Sequence, residues 1–411
     1  MQPKQYGIFS LPVIVGSLGF FVDIYDLQVF LLTRIDSFNE LGITGDAQQT
    51  VGENILSWQL LGLAIGGLLW GVLGDKRGRK SVLFGSIFVY SAATLANGFV
   101  QDITTYTVLR FIAGLGLAGE LGASITITTE LLPKEKRGLA AAIIATSGVM
   151  GTIVGYFVKS LSGGDWRLCY YIGGGMGFVL LFLRARVFDS SMYSSVKEGG
   201  VKMGNLLMIF NTRERFYRYL RAIFIGMPVW YVIGVLIAFS ERFAKEFGIA
   251  GFDQPKSLML QYVALAFGDL GGGILANVLK SRKKAIYFFY SILTIVIVLF
   301  FVTKGGGSAT NMYLFCMALG FGSGISVLYI TMSAEQFGTN LRATAAISIP
   351  NMVRVFTIPM LFLFRLLRSE DLMSNFINAA FVLGLIVMAV SWLAAYYTKE
   401  TFGKSMEFIE K

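Results

Sequence analysis

Asp23, Asp26, Arg110, Glu120, Asp269 and Arg354 interrupt stretches of sequence that are otherwise apolar. A charged side chain at the middle of a bilayer costs about 2.5–3.5 kcal/mol on insertion scales, so such residues persist where they pair or line water. Acids in that setting can carry protons, and a guanidinium can hold a carboxylate or phosphate through its fork of donors. The chain has no histidine, which leaves Asp and Glu to exchange protons near neutral pH. The same absence excludes a Ser-His-Asp set and His-ligated metals, and neither a P-loop nor a metal-ligand spacing is present. Enzymatic chemistry, ATP use, bound metals and cofactors are therefore not expected.

Asp23 and Asp26 are three residues apart and share one helix face. Counted from the outer ends of their segments, Asp26 and Arg110 each lie about six residues deep, so at 1.5 Å per residue they share a depth and can pair. Glu120 lies about 15 Å further in by the same arithmetic. The expectation is that this set takes a proton from outside and releases it inside; the alternative is a static ion pair orienting two helices. Arg354 lies about eleven residues from the inner end of its segment, close to mid-membrane. It is a candidate anion contact, or else the partner of Asp269 or another acid. Asp269 is a candidate for the solute cavity, for coupling, or for a polar contact between helices. Tyr25, Gln28, Trp230, Tyr231, Tyr329 and Asn351 complete the candidate cavity, although such residues taken singly more often pack or anchor at interfaces. As a set they suit a small polar or aromatic solute.

The elements that must position these residues follow from hydropathy. Of the 411 residues 55% are hydrophobic and only 15% charged, with a mean hydropathy of +0.65. Apolar runs repeatedly exceed the roughly 20 residues that span a hydrocarbon core. Spans are predicted at 8–32, 53–74, 81–100, 104–131, 139–160, 169–188, 219–240, 257–279, 285–303, 310–333, 343–366 and 373–397. The expected fold is an all-α membrane protein of twelve transmembrane helices in two pseudo-symmetric six-helix bundles. The bundles cover 1–188 and 219–398, with a cytoplasmic linker at 189–218 that includes a possible amphipathic helix and a cytoplasmic tail at 399–411. Lys76, Arg77, Arg79 and Lys80, then Lys134, Lys136 and Arg137, then Arg213, Arg215 and Arg218, then Lys280, Arg282, Lys283 and Lys284 occupy alternate loops. The positive-inside rule places those loops and both termini in the cytoplasm. The net charge of +10 is dispersed over them, unlike a nucleic-acid-binding face. Cys169 and Cys316 lie in apolar runs and build no disulfide framework. No cleavable leader is expected at the N-terminus.

The halves repeat one another. Gly71, Leu73, Asp75, Gly78, Arg79 and Lys80 close the second span, and Gly273, Leu275, Asn277, Lys280, Arg282 and Lys283 close the eighth. Glu130 and Arg137 end the fourth span with the spacing that Glu335 and Arg342 show at the tenth. On these motifs the chain resembles the major facilitator superfamily over essentially its whole length. The tail from Glu400 through Gly403, Lys404, Ser405 and Glu407 is similar to that of its sugar porters. The first span, Gly19 to Leu27, and Arg110 to Glu120 look like its phosphate and organic-acid proton symporters. The resemblance implies the major facilitator fold and a proton-coupling role for Asp26 and Arg110. It also implies that an Arg in the eleventh span, here Arg354, serves organic anions. The phosphate symporters carry a seventh-span acid, which Met227 to Gly234 lacks. Sugar porters present amides in the fifth and seventh spans, and none occurs over Ile144–Tyr156 or Phe224–Phe239.

Asp75, Arg79, Glu130 and Arg137, with the counterpart Asn277, Arg282, Glu335 and Arg342, are expected to bind helix ends together when the cytoplasmic face is closed. Such bonds are individually weak in water, but a network present in one state alone biases an equilibrium. The same positive residues also fix topology during insertion. Gly114, Gly116 and Gly119, with Gly148, Gly151 and Gly155, allow close helix approach. The sequence thus reads as a monomeric secondary transporter of the plasma membrane, coupling protons to a small organic anion such as a carboxylate or sugar acid by alternating access. A sugar or phosphate carrier is the alternative, and a non-transporting receptor or membrane enzyme the third class.

Overall fold

The computed structural model describes residues 11–403, apart from 78, 132–133, 189–208 and 371. Within helices, 11–13, 71–72, 74–83, 120–146, 186–188, 334, 339–340, 342–344 and 346–347 are described as backbone alone. The chain forms two compact units, residues 1–201 and 202–411. The expected linker helix lies largely outside the described residues.

In the first unit the apolar runs form α1 (Leu11–Glu40), α2 (Ala47–Arg77), α3 (Arg79–Asn97), α4 (Ile103–Leu131), α5 (Lys134–Leu161) and α6 (Trp166–Phe188). The first of these exceeds its predicted span by eight residues, because Thr33 to Glu40 continue the helix although their polar composition predicts a loop. Its C-terminal end is clasped. Glu40 pairs with Arg167 at 2.8 Å and accepts from the Trp166 indole at 2.7 Å. Arg167 in turn donates to the carbonyls of Gly98 and Val100. Close crossings depend on glycine: a Cβ at Gly114 would stand 2.0 Å from the Gln59 carbonyl oxygen, so α2 and α4 touch backbone to backbone.

The second unit is built from interrupted helices. The seventh predicted span becomes α7 (Arg213–Tyr231), a π-helical stretch over Val232–Ile237, and α8 (Ser240–Glu246). Pro228 has no N–H for the Phe224 carbonyl, which accepts instead from the Ser391 hydroxyl at 2.7 Å, and the helix widens four residues later. Then follow α9 (Gln254–Val278), α10 (Arg282–Val302), α11 (Ala309–Gly322), α12 (Ser326–Gln336), α13 (Thr339–Val355), α14 (Thr357–Leu367) and α15 (Phe376–Tyr397). The pair α11 and α12 occupies one predicted span, and so does the pair α13 and α14. Taking each pair as one segment, the two units share a pairing plan. The first segment packs on the fifth and sixth, the second on the fourth, and the third on the sixth. That correspondence is the structural counterpart of the sequence repeat.

Candidate functional site

In the first unit Asp26 of α1 and Arg110 of α4 form an ion pair of 3.3 Å with neither side chain exposed. Thr94 of α3 donates to Asp26 Oδ1 at 2.6 Å and accepts from Arg110 at 3.0 Å, closing a triangle. The other side of the guanidinium lies 4.9 Å from the centre of the Tyr170 ring. The Tyr170 hydroxyl meets that of Tyr106 at 2.5 Å. Thr94, Tyr106 and Tyr170 are themselves buried, so Arg110 is held among groups that water does not reach. The second carboxylate oxygen of Asp26 has no hydrogen-bond partner among the described residues.

Asp23 is buried one turn before Asp26, and Gln28 is buried on the same helix. Tyr25 donates to the Cys169 carbonyl at 2.9 Å, which commits its hydroxyl to the α1–α6 contact. Glu120 lies on α4, with its side chain outside the described ones. Equal distance from the facing helix ends is not what brings Asp26 to Arg110. Asp26 is 14 residues before the end of α1, whereas Arg110 is 7 after the start of α4. The pair forms because the C-terminal end of α1 runs past the start of α4.

In the second unit the Arg354 guanidinium of α13 faces the Trp230 ring of α7 at 6.0 Å, at the outer limit of a cation–π contact. Tyr329 and Asn351 are buried on α12 and α13. Gly226 makes room for the Tyr329 ring, since a Cβ there would stand 3.2 Å from it. Tyr231 instead donates to the Ala380 carbonyl at 2.7 Å and tethers α7 to α15. Asp269 is half-buried and accepts from the backbone N–H of Ser326 at 2.8 Å.

Of the expected gate, Arg282 and Glu335 meet at 3.2 Å. Arg342, Asp75, Arg79, Glu130 and Arg137 have side chains outside the described ones, and Asn277 is exposed at the end of α9. The tail takes a part in this lock that its sequence does not announce. Thr401 donates to Glu335 at 2.6 Å, and the Phe402 ring lies 5.2 Å from the Arg282 guanidinium. Glu400 accepts from the Ser281 hydroxyl and from the N–H groups of Arg282 and Lys283, capping α10. Burial opposes its charge, but the Ser281 hydroxyl and the N–H groups of Phe402, Arg282 and Lys283 outweigh that and bring its pKa down to about 2.

Among the described residues eight helices are long and apolar enough to cross a membrane, which makes the chain a multi-pass membrane protein. A family model described as Major Facilitator Superfamily matches residues 16–359, and the chain belongs to that superfamily. A gentisate transporter of Corynebacterium glutamicum is 26% identical over 81% of this chain and 75% of its own length. A putative niacin/nicotinamide transporter of Bacillus subtilis is 27% identical over 44% of this chain, and a sialic acid transporter of Escherichia coli is 31% identical over 46%. Both alignments span 45% of the relative, less than half its length. The crystal structure of a D-xylose–proton symporter matches with a TM-score of 0.73 at 16% identity, over 96% of this chain and 98% of that one. At that identity the likeness is one of fold.

Proposed function

We propose that the protein is a proton-coupled symporter of a small organic anion, a carboxylate or sugar acid, working by alternating access as a monomer. The observation that carries this reading is the buried Asp26–Arg110 pair. The guanidinium stabilises the carboxylate, and drawing the two apart in a low dielectric removes that stabilisation. A proton then takes the place of the guanidinium. Asp23 and Glu120 belong to the same coupling set. Arg354 binds the anion, with Trp230, Tyr329, Asn351, Gln28 and Asp269 shaping the cavity, while Tyr25 and Tyr231 fix its walls through their helix-to-helix bonds. Asp75, Arg79, Glu130, Arg137, Asn277, Arg282, Glu335 and Arg342 serve as the cytoplasmic gate. The topology has twelve spans with both termini cytoplasmic, and the bundles cover 1–188 and 219–398.

The relatives named for gentisate and sialic acid support a carboxylate substrate, and the one named for niacin/nicotinamide pairs an acid with its neutral amide. The xylose-symporter likeness concerns fold and lends a sugar no weight. The test is uptake of radiolabelled gentisate and nicotinate into proteoliposomes under an imposed inward proton gradient. Asp26→Asn should abolish gradient-driven accumulation while leaving exchange of the solute. Arg354→Lys keeps the charge but loses the fork, and should raise the apparent KM about tenfold or more. Accumulation unchanged in Asp26→Asn would remove that residue from coupling, and an unchanged KM would remove Arg354 from contact with the solute.

A further inference from the structure

The segment formed by α11 and α12 breaks at Ser323–Ile325. There the Ile325 N–H turns back to the Ser323 carbonyl at 2.7 Å, and the N–H groups of Ser326 and Val327 open a new helix. The first N–H groups of a helix have no partner within it. These two are met by one carboxylate oxygen of Asp269, at 2.8 Å and 3.4 Å. Asp269 can reach them because α9 touches the break through its backbone. A Cβ on Gly324 would stand 2.1 Å from the Gly268 carbonyl carbon, and one on Gly268 would stand 2.4 Å from the Phe321 carbonyl oxygen. Neither position admits a larger residue without moving a helix.

The helix that Asp269 caps leads to the gate. Glu335 lies nine residues beyond Ser326, roughly 14 Å along the axis. It is the group that bonds Arg282 and Thr401. Tyr329 of α12 lies within electrostatic reach of Asp269, and Arg354 of α13 acts on the same phenol. Among the described residues, α10 and α11, which also pack on α9, add no charged group to the influences on Asp269.

We propose that Asp269 is a second proton-binding group, and that its protonation releases α12 and so loosens the lock made by Arg282, Glu335 and Thr401. An ionised carboxylate accepts from both N–H groups through charge-assisted bonds. A proton drawn from water and bound to the other oxygen removes the charge, and leaves the oxygen that the two N–H groups share as a weaker, neutral acceptor. The cap then weakens, and the beginning of α12 is held chiefly by the crossing of Gly268 and Gly324. This site lies wholly in the second unit and is independent of the Asp26–Arg110 pair.

Hydrogen exchange of the full-length protein in nanodiscs, read by mass spectrometry in acidic and alkaline buffer and corrected for intrinsic rates, tests the idea without any solute. In the wild type, peptides covering 325–337 and 398–403 should exchange roughly fivefold faster in acid, the size expected for loss of one helix cap. Asp269→Asn, neutral like the protonated acid, should exchange at the fast, acid-like rate in both buffers. Asp269→Ala should exchange fast in both. Asp26→Asn should keep the wild-type response, which separates this proposal from the coupling role assigned to Asp26. The proposal is overturned by a wild type indifferent to pH, by a pH response surviving in Asp269→Asn, or by wild-type protection in Asp269→Ala. Loss of the response in Asp26→Asn would overturn it as well, by placing the proton in the other unit.

Discussion

Asp26–Arg110 and Arg282–Glu335 are ion pairs of nearly equal length, 3.3 Å and 3.2 Å, set in opposite surroundings. The first has no exposed side chain, whereas the members of the second keep 17% and 15% of theirs. Removing ions from water costs several kcal/mol each even after relaxation, so separating the interior pair strands two charges unless something replaces a partner. The peripheral pair can be resolvated and is worth about 0–1 kcal/mol. Equal geometry therefore supports two different jobs. An interior pair suits an exchange of guanidinium for proton, while a half-wet pair suits repeated opening and closing at little energetic expense.

The sharpest way to break this comparison is Arg110→Ala. It should destabilise the protein by about 3–5 kcal/mol in detergent unfolding, because Asp26 is left charged and buried. Adding Asp26→Asn to it should recover most of that loss; a single variant costing below about 1 kcal/mol would erase the distinction. Glu400→Ala comes next, at about 1–2 kcal/mol, through loss of the α10 cap. It is read most directly as faster hydrogen exchange at Arg282 and Lys283. The bound Glu400 has a pKa of about 2 against an ordinary 4.5, so its contribution is complete above about 4.5 and is lost as pH falls toward 2. In Asp269→Asn, where the other acid cannot titrate, a loss of protection at Arg282 and Lys283 that came on already near neutrality would contradict that sign. The smallest effect belongs to Glu335→Gln, under about 1 kcal/mol and shrinking with added salt. A salt-independent cost there would mean the pair is drier than its exposure implies.

The helical membrane architecture was legible because a chain this poor in charge can keep so many apolar runs of span length only inside a bilayer. The Asp26–Arg110 pairing was legible because two opposite charges in such runs must find something. Thr94 was not, since a hydroxyl in a helix can satisfy itself on its own backbone and leaves no mark in the pattern. Nothing in the pattern singles out Tyr106 and Tyr170 either, since tyrosine near a helix end usually anchors at the membrane interface. Hydropathy continues across the breaks before α12 and α14 and hides them, although Gly320, Gly322, Ser323 and Gly324 mark the first. The break at Ser323–Ile325 coincides with the contact between Gly268 and Gly324, a tertiary fact that neither segment contains alone. The tail motif was visible as a resemblance, but its partners Ser281 and Glu335 emerge only when α10, α12 and α15 are brought to one end.

The overlong α1 has a mechanical meaning. Its 30 residues give a rod of about 45 Å, with Asp26 midway and Glu40 at the tip gripping Arg167. Through Arg167 the tip is riveted to the carbonyls of Gly98 and Val100. A stiff rod fixed at its tip behaves as a lever: any tilt that parts Asp26 from Arg110 must either carry the α3–α4 turn with it or tear the rivet.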